Sequence, residues 1–355
     1  MVIDTGVNVS ALRLVGIILG LLSLAWAIKR LRSRAQRRTD VWLLLLVGSG
    51  LTAIGLFPSL VNILSDLFML TNIRGGRVIT LLLFATALLW LLFLHELGRT
   101  STLAARLSEH IRGVVVKEYL QDPSAHPLTG DILVIIPAYN EANNLERVLP
   151  KIPLMICGKS VKVLVVDDGS RDETAGVAAS LGAGVARHTV NFGGGAALET
   201  GYQIARALGP DVLVSLDGDG QHDPGEIETL VAPIVTNQAD LVIGSRFLGS
   251  ADHYSVTRLI GVKIFSGLIN RLMGTRITDC ASGFRALRPS VLKEVSLRQE
   301  QYHTAELIII AAKHQKRIVE KPIHMAARYS GQSKKGRDFQ YGLGFLKAII
   351  RTWLD

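Results

Sequence analysis

Hydrophobic positions are distributed very differently in the first hundred residues and in the rest of the chain. Three stretches near the amino terminus are almost free of charge: residues 12–28, 41–57 and 78–95. Each is about long enough to cross a hydrocarbon core of ~30 Å at ~1.5 Å per residue of helix. The pattern predicts a small all-α transmembrane domain over residues 1–98. Buried soluble helices, or a cleaved signal peptide for the first stretch, are the alternatives.

Beyond residue 130, short apolar runs alternate with helical patterns. The runs 132–136, 161–166 and 212–216 each lead into a polar loop. Strands that alternate with helices form βαβ units, and the carboxyl edge of such a sheet carries the functional loops. We therefore expect an α/β fold with a mostly parallel, Rossmann-like sheet over residues 131–335. A connector over residues 99–130 precedes it, and the spacing of apolar and charged residues over 102–120 predicts a helix there.

Residues 336–355 have the pattern of an amphipathic helix. Its apolar stripe consists of Phe339, Leu343, Leu346, Ile350 and Leu354. Such a stripe is typical of a helix that lies in the membrane interface, and a core helix packed on the sheet is the alternative.

Basic residues are concentrated after the first predicted span. This loop contains Lys29, Arg30, Arg32, Arg34, Arg37 and Arg38, whereas the loop after the second span has only Arg74 and Arg77. By the positive-inside rule, the first loop is cytoplasmic. Three spans then place the amino terminus outside and everything beyond residue 96 in the cytoplasm. The expected location is the cell (inner) membrane, with several passes.

The net charge of +9 does not by itself indicate a nucleic-acid partner, because the basic residues form no aromatic-interleaved nucleic-acid module. Many of them flank the predicted spans, where they suit anionic lipid headgroups. Cys157 and Cys280 are the only cysteines and lack metal-type spacing. Neither a zinc site nor a disulfide framework is indicated.

The apolar run 212–216 leads into Asp-Gly-Asp-Gly-Gln-His at residues 217–222. Aspartates at alternate positions project toward one face, and the glycine between them allows a bulky anion to approach. Such oxygen ligands suit Mg²⁺ or Mn²⁺ bridging a diphosphate, so Asp217, Asp219 and Gln221 are the candidate metal ligands. A strand followed by a polar turn is the alternative for an isolated motif.

Two other loops follow the earlier apolar runs: Pro-Ala-Tyr-Asn-Glu at 137–141 and Asp-Asp-Gly-Ser at 167–170. Together with the aspartate motif, they resemble glycosyltransferase family 2, the inverting GT-A-fold enzymes that use nucleotide-diphosphate sugars. The resemblance covers roughly residues 131–335. It implies that the nucleotide sugar contacts Pro137, Tyr139, Asn140, Glu141, Asp167, Asp168, Gly193, Asp217 and Gly218.

Gly193 lies in a glycine-rich turn, residues 191–198, that precedes a helical pattern. Such a turn can present backbone N–H groups to phosphate, and a simple tight turn is the alternative. Members of the family usually have a lysine near the position of Gly194. Because this chain has glycine there, no role of that side chain can be carried over.

The second half resembles dolichol-phosphate mannose synthase and its bacterial polyprenyl-phosphate relatives within the family. The matching segments are Gly-Ser-Arg at 244–246, Arg258, Thr-Asp-Cys-Ala-Ser-Gly-Phe-Arg at 278–285, and Arg-Tyr-Ser-Gly-Gln-Ser-Lys at 328–334. The resemblance implies that the acceptor phosphate and the donor diphosphate bind to Arg246, Arg258, Arg328, Ser333 and Lys334. Several such synthases carry paired spans after this domain, whereas here the spans come first.

A lipid phosphate as acceptor explains why several cations accompany no obvious histidine base. A hydroxyl acceptor needs a general base, but a monophosphate with a second pKa near ~6 is already largely ionised. Catalysis can then rest on positioning and charge neutralisation. Asp279 is a candidate base or arginine-orienting group, with a turn-capping carboxylate as the alternative. The expected catalytic residues are Asp219, Asp279, Arg246, Arg328 and Lys334.

The resemblance therefore implies inverting transfer of one hexose from a UDP- or GDP-linked donor to polyprenyl phosphate, with Mg²⁺ or Mn²⁺ as cofactor. It leaves room for a homo-oligomer. A transferase acting on a hydroxyl acceptor, or in polysaccharide synthesis, is the alternative, although the processive motif Gln-x-x-Arg-Trp is absent from the sequence. A non-catalytic scaffold is disfavoured because Asp217, Asp219 and Arg246 are intact.

Overall fold

The computed structural model describes residues 9–31, 38–67, 70, 76–122, 131–252, 256–293, 297, 302–327 and 338–354. The chain divides into two compact units, Met1–Leu103 and Ala104–Asp355. The predicted site residues Arg328, Ser333 and Lys334 lie outside the described residues.

The first unit contains helices α1 (Val9–Leu31), α2 (Arg38–Leu56), α3 (Leu60–Leu67) and the first part of α4 (Gly76–Gln121). Helices α1 and α2 pack through small residues. A Cβ atom at Gly20 would lie 2.8 Å from the carbonyl oxygen of Gly48, and one at Gly55 would lie 2.5 Å from Cγ1 of Ile17. The two backbones approach too closely for side chains at these positions, as is typical of helix pairs in lipid.

Large apolar side chains cover the outside of these helices. Trp42, Leu82 and Trp90 are each more than half exposed. Among the described residues, the helical segment Val78–Glu96 is long and apolar enough to cross a membrane, and Trp42–Leu56 is a shorter apolar helix. The predicted spans 12–28 and 78–95 fall within α1 and α4, and the predicted span 41–57 extends one residue beyond the end of α2. Three membrane crossings are not confirmed.

The second unit is built on a mixed sheet. Its strands are β1 (Ile132–Ala138), β2 (Met155–Ile156), β3 (Lys159–Asp167), β4 (Gly184–Arg187), β5 (Val212–Ser215), β6 (Leu241–Ala251), β7 (Arg285–Leu287) and β8 (Ile318–Met325). Their order is β2-β3-β1-β5-β7-β6-β8, and β4 also pairs with β3. The helices are α5 (Ala142–Val148), α6 (Thr174–Ser180), α7 (Gly194–Leu208), α8 (Ile227–Val235), α9 (Val256–Met273), α10 (His303–Lys313) and α11 (Asp338–Leu354).

The expectation of a mostly parallel sheet is corrected by β7. Strand β1 is parallel to β3 and β5, β3 to β4, and β6 to β8. Strand β7 runs antiparallel to both β5 and β6, and β2 is antiparallel to β3. Because β7 has only three residues, its sequence carries no usable periodicity. Its direction brings the loop before Arg285 to the same edge as the carboxyl ends of β1, β3 and β5.

Apolar residues bury both faces of this sheet. Strands β1 and β5 are buried along almost their whole length, as expected for strands covered on both sides. The predicted helical connector forms the last turns of α4, where Val115 joins the core. Tyr119 lies against β4, since a Cβ atom at Gly184 would be 2.3 Å from its hydroxyl oxygen.

The C-terminal segment is helical, as predicted. Phe345 and Ile349 of α11 are fully buried, and the ring of Phe345 stacks on Phe265 of α9 with 4.9 Å between centroids. The predicted stripe is on another face, where Leu343 and Leu354 are exposed. The helix therefore packs on the core as in the alternative interpretation, and contact of its exposed stripe with a membrane stays a prediction.

Candidate active site

The aspartate motif follows the central strand β5 at the carboxyl edge of the sheet. The side chain of Asp217 is 44% exposed, whereas Asp219 is buried. The backbone of Gln221 is fixed to the end of β8, where its carbonyl accepts a hydrogen bond from Ala326 at 2.8 Å. The side-chain Nε2 of Gln221 donates to the Ala326 carbonyl at 3.4 Å. The two carboxylates are therefore carried by a short segment held at both ends by the sheet.

Asp217 lies directly over Gly283. A Cβ atom at Gly283 would be only 2.8 Å from both carboxylate oxygens. The carbonyl of Gly283 accepts a hydrogen bond from the Ser215 hydroxyl at 2.7 Å, which ties the loop before β7 to the end of β5. No described residue donates a hydrogen bond to the Asp217 carboxylate. The carboxylate therefore lies against Gly283 and is partly open to solvent.

The imidazole of His222 is the polar group beside Asp217. Its Nε2 is 3.9 Å from Oδ2 of Asp217, too long for a hydrogen bond. The ring is buried and lies against Phe284, with 5.1 Å between centroids. Burial lowers the pKa of His222 below its ordinary value, although the nearby carboxylates oppose the shift. The ring is therefore neutral near pH 7.

The loops after β1 and β3 are joined by hydrogen bonds. The N–H of Asn140 donates to the Ser170 hydroxyl at 2.9 Å, and its Oδ1 accepts from the N–H of Arg171 at 2.8 Å. The N–H of Glu141 donates to the Thr174 hydroxyl at 2.9 Å. Asn140 has a φ of 53°, which asparagine tolerates better than most residues. The two predicted nucleotide loops thus form one connected surface.

Asp167 ends β3 with a buried carboxylate. Its Oδ1 accepts from the N–H of Ser170 at 2.9 Å, and its Oδ2 pairs with Nε of Arg187 at 3.1 Å. Nη2 of Arg187 also donates to the Ser170 carbonyl at 3.1 Å. The half-exposed arginine covers the aspartate at the edge of β4.

Asp168 faces the glycine-rich turn. Its carboxylate accepts the N–H of Phe192 at 3.0 Å and that of Gly193 at 2.7 Å. It also pairs at 2.7 Å with Nδ1 of His188, whose Nε2 is 2.9 Å from the Thr200 hydroxyl. Gly193 has a φ of 92°, which favours glycine. In this arrangement Asp168 holds the turn that precedes α7.

Arg246 and Asp279 form a buried bidentate pair. Nε of Arg246 is 2.5 Å from Oδ2 of Asp279, and Nη2 is 3.1 Å from Oδ1. Glu320 of β8 fixes the loop that carries Asp279, because its carboxylate accepts the N–H of Thr278 at 2.8 Å and the N–H of Asp279 at 2.9 Å. Such a pair fixes the plane of the guanidinium. Asp279 thus orients Arg246, and it also caps its own turn, since its Oδ1 accepts the N–H of Ala281 at 3.3 Å.

Arg285 is a fully buried arginine in the same loop. It donates to the carbonyl oxygens of Ser282 at 2.8 Å, Thr304 at 2.6 Å and Cys280 at 3.2 Å. Burial lowers its pKa to about 10, so it stays charged at neutral pH. Its hydrogen bonds shape the turn that brings Gly283 under Asp217.

Residues predicted to bind the donor and residues predicted to bind the acceptor both lie within electrostatic reach of His222. The carboxylates of Asp217, Asp219 and Asp279 and the guanidinium of Arg246 all influence its pKa. Arg258 lies on α9 and is partly buried. Sequence reasoning assigned no role to His222 or Gly283, although both lie inside the motifs, and nothing in the sequence pointed to His188 or Glu320.

Known proteins resemble this second unit. Residues 133–296 match the family model described as glycosyl transferase family 2. A UDP-N-acetylglucosamine–dolichyl-phosphate N-acetylglucosaminyltransferase of Methanococcus voltae is 33% identical over an alignment of 214 residues, and the match covers 54% of this chain and 84% of the relative. The chain belongs to glycosyl transferase family 2.

Another relative, the polyprenol monophosphomannose synthase of Mycolicibacterium smegmatis, is 34% identical over an alignment of 226 residues, and the match covers 60% of this chain and 84% of the relative. Among solved structures, the glucosyl-3-phosphoglycerate synthase of Mycobacterium tuberculosis in complex with Mn²⁺, uridine diphosphate and phosphoglyceric acid is similar, with a TM-score of 0.50. The match has 20% sequence identity and covers 67% of this chain and 81% of the other. It supports a GT-A-like α/β fold.

Proposed function

We propose that this family 2 glycosyltransferase moves one hexose from a UDP- or GDP-linked donor to polyprenyl phosphate, with inversion at the anomeric carbon. The observation that carries the proposal is the set of charged residues around His222, which combines carboxylates suited to a divalent ion with an arginine suited to a phosphate. The charges of two aspartates at the end of β5 and of an arginine held by Asp279 all reach its ring. The named activities of the polyprenyl-phosphate and dolichyl-phosphate relatives support the same acceptor class.

On the donor side, Asp217, Asp219 and Gln221 would hold Mg²⁺ or Mn²⁺ against the diphosphate. The donor set fits a hard cation, since the Asp217 carboxylate is half exposed and receives no hydrogen bond from the described residues. No cluster of three or more histidine, cysteine or acidic side chains suited to a metal occurs in the described part of the chain. The diphosphate would therefore supply part of the coordination shell. When bound, the ion neutralises the leaving group.

The joined loops after β1 and β3 would hold the nucleotide through Pro137, Tyr139, Asn140, Glu141 and Asp167. Asp168 would contribute to the nucleotide site by fixing the turn at Gly193. Gly218, which has no side chain, would let the donor approach beside Asp217. Because these loops are already hydrogen-bonded to each other without a ligand, little conformational freedom is lost when the donor binds.

On the acceptor side, Arg246 would bind the lipid phosphate together with Arg258, Arg328, Ser333 and Lys334. Asp279 would hold the Arg246 guanidinium rather than remove a proton, because both of its oxygens already face that side chain. A phosphate nucleophile needs no base near neutral pH. The residues then contribute by alignment and by charge.

We place this reaction at the cytoplasmic face of the cell membrane. Support comes from the apolar helices of the first unit, from the segment Val78–Glu96 in particular, and from the basic loop over residues 29–38. A long lipid acceptor is accessible only to an enzyme at the bilayer surface. Three membrane spans and self-association belong to the same proposal.

The test is a comparison of acceptors. The detergent-extracted protein is incubated with Mn²⁺ and a panel of UDP- and GDP-sugars, with either polyprenyl phosphate or the dephosphorylated polyprenol. We expect transfer from one donor to the phosphate and at least a hundredfold slower transfer to the alcohol, since the alcohol must be deprotonated. Equal rates with both acceptors, or products with several sugars, would replace the proposal by a hydroxyl-acceptor or polysaccharide reaction.

A further inference from the structure

His222 has a buried nitrogen with no described partner. Its Nδ1 is shielded from solvent and makes no hydrogen bond within the described residues. Buried polar atoms are almost always paired, so an exception calls for an explanation. A buried unpaired acceptor is tolerated better than a buried unpaired N–H. Nδ1 is therefore the ring nitrogen without a proton, and the N–H of the ring is at Nε2, which faces Asp217.

The His222 ring cannot move easily. Its backbone forms a bridge with Met325 at the end of β8. The ring itself is buried against Phe284, with the planes inclined by 37°. A shift of the ring toward Asp217 would break its packing against Phe284 and strain the backbone bridge to Met325.

Asp217, in contrast, can move. Its side chain is 44% exposed, and the distance of 3.9 Å to Nε2 of His222 exceeds a hydrogen bond by about 1 Å. A movement of this half-exposed carboxylate by about 1 Å toward the ring would bring Oδ2 within hydrogen-bond distance. Carboxylates that bind metal ions are usually held by a further hydrogen bond, and the loss of that bond weakens metal affinity about tenfold to a hundredfold.

We propose that His222 is a positioning residue, whose Nε2–H donates to Oδ2 of Asp217 and fixes the carboxylate in the orientation that binds the divalent ion. The inference rests on the metal site of the proposed function. In this role the imidazole neither contacts the substrate nor transfers a proton. Its rigid packing supplies the fixed point, and Asp217 supplies the oxygen that faces the ion.

Three variants separate this role from simple packing. His222→Gln keeps an N–H donor near the place of Nε2, His222→Asn keeps one near the place of Nδ1, and His222→Ala keeps neither. The dissociation constant of Mn²⁺ is measured by electron paramagnetic resonance of free Mn²⁺, with UDP or GDP present and no acceptor. Thermal unfolding of each full-length variant reports on folding.

We expect the glutamine variant to bind Mn²⁺ within about threefold of the wild type, and the asparagine and alanine variants to bind about tenfold to a hundredfold more weakly. Equal affinity in all proteins, or equal losses in the glutamine and asparagine variants, would overturn the role of His222 and leave the metal site standing. A wild-type protein that binds no Mn²⁺ with either nucleotide would overturn both the inference and the metal of the proposed function.

Discussion

Gly283→Ala is the sharpest single perturbation of the candidate metal site. The new Cβ atom would lie 2.8 Å from both oxygens of Asp217, and ordinary van der Waals contact begins at 3.4 Å. The carboxylate must therefore retreat by about 0.6 Å. Functional groups in an active site need to be held within roughly 0.5 Å, and a displacement of ~1 Å can cost ~100-fold in rate. We expect kcat/KM to fall about tenfold to a hundredfold, or ~1.4 to 2.7 kcal/mol.

The fold should survive this substitution. The Asp217 carboxylate is half exposed and can move into solvent, and the Gly283 carbonyl keeps its hydrogen bond to Ser215. Initial rates are measured over a range of Mn²⁺ concentrations, together with the melting temperature. Gly261→Ala is the matched control, because a Cβ atom there meets nothing within 4 Å. An unchanged kcat/KM and an unchanged Mn²⁺ dependence in Gly283→Ala would refute the site.

Three further predictions concern the loops, the acceptor side and the packing. Asp168→Asn places an amide against the N–H of Gly193, so the donor dissociation constant from calorimetry should rise about tenfold; an unchanged constant contradicts the organising role. Arg246→Lys loses the bidentate pair with Asp279, so kcat/KM for the lipid phosphate should fall about tenfold to a hundredfold while donor affinity stays unchanged. An equal loss of donor affinity would show that this arginine binds the donor instead. Gly184→Ala should lower the melting temperature because its Cβ meets the Tyr119 hydroxyl, and Tyr119→Phe in the same protein should restore part of the loss; no recovery argues against this contact.

The sequence was sufficient to predict the strands and helices that have long hydrophobic patterns. Strands β1, β3 and β5 contain largely apolar runs, and their polar loops meet at one edge because parallel strands share a direction. The connector helix and the C-terminal helix also follow their periodicity. The sequence pattern did not show which face of the C-terminal helix packs on the core, because apolar residues occur on more than one face. Burial of Phe345 depends on contacts with residues distant in sequence.

Other features depend on pairings that no local pattern encodes. Strand β7 has three residues, and only its neighbours reveal that it is antiparallel. The pair between Arg246 and Asp279 joins residues that are 33 positions apart. His222 was visible in the motif, but its role depends on burial against Phe284, which follows from the turn that β7 imposes.

The lipid product tests the central claim most directly. After reaction with the accepted nucleotide sugar and polyprenyl phosphate, the glycolipid is purified and examined by ³¹P and ¹H nuclear magnetic resonance. We predict one sugar joined through a phosphodiester to the lipid, with an anomeric configuration opposite to that of the donor. A retained configuration, a sugar joined directly to the polyprenol oxygen by a glycosidic bond without phosphate, or a chain of several sugars would contradict the account.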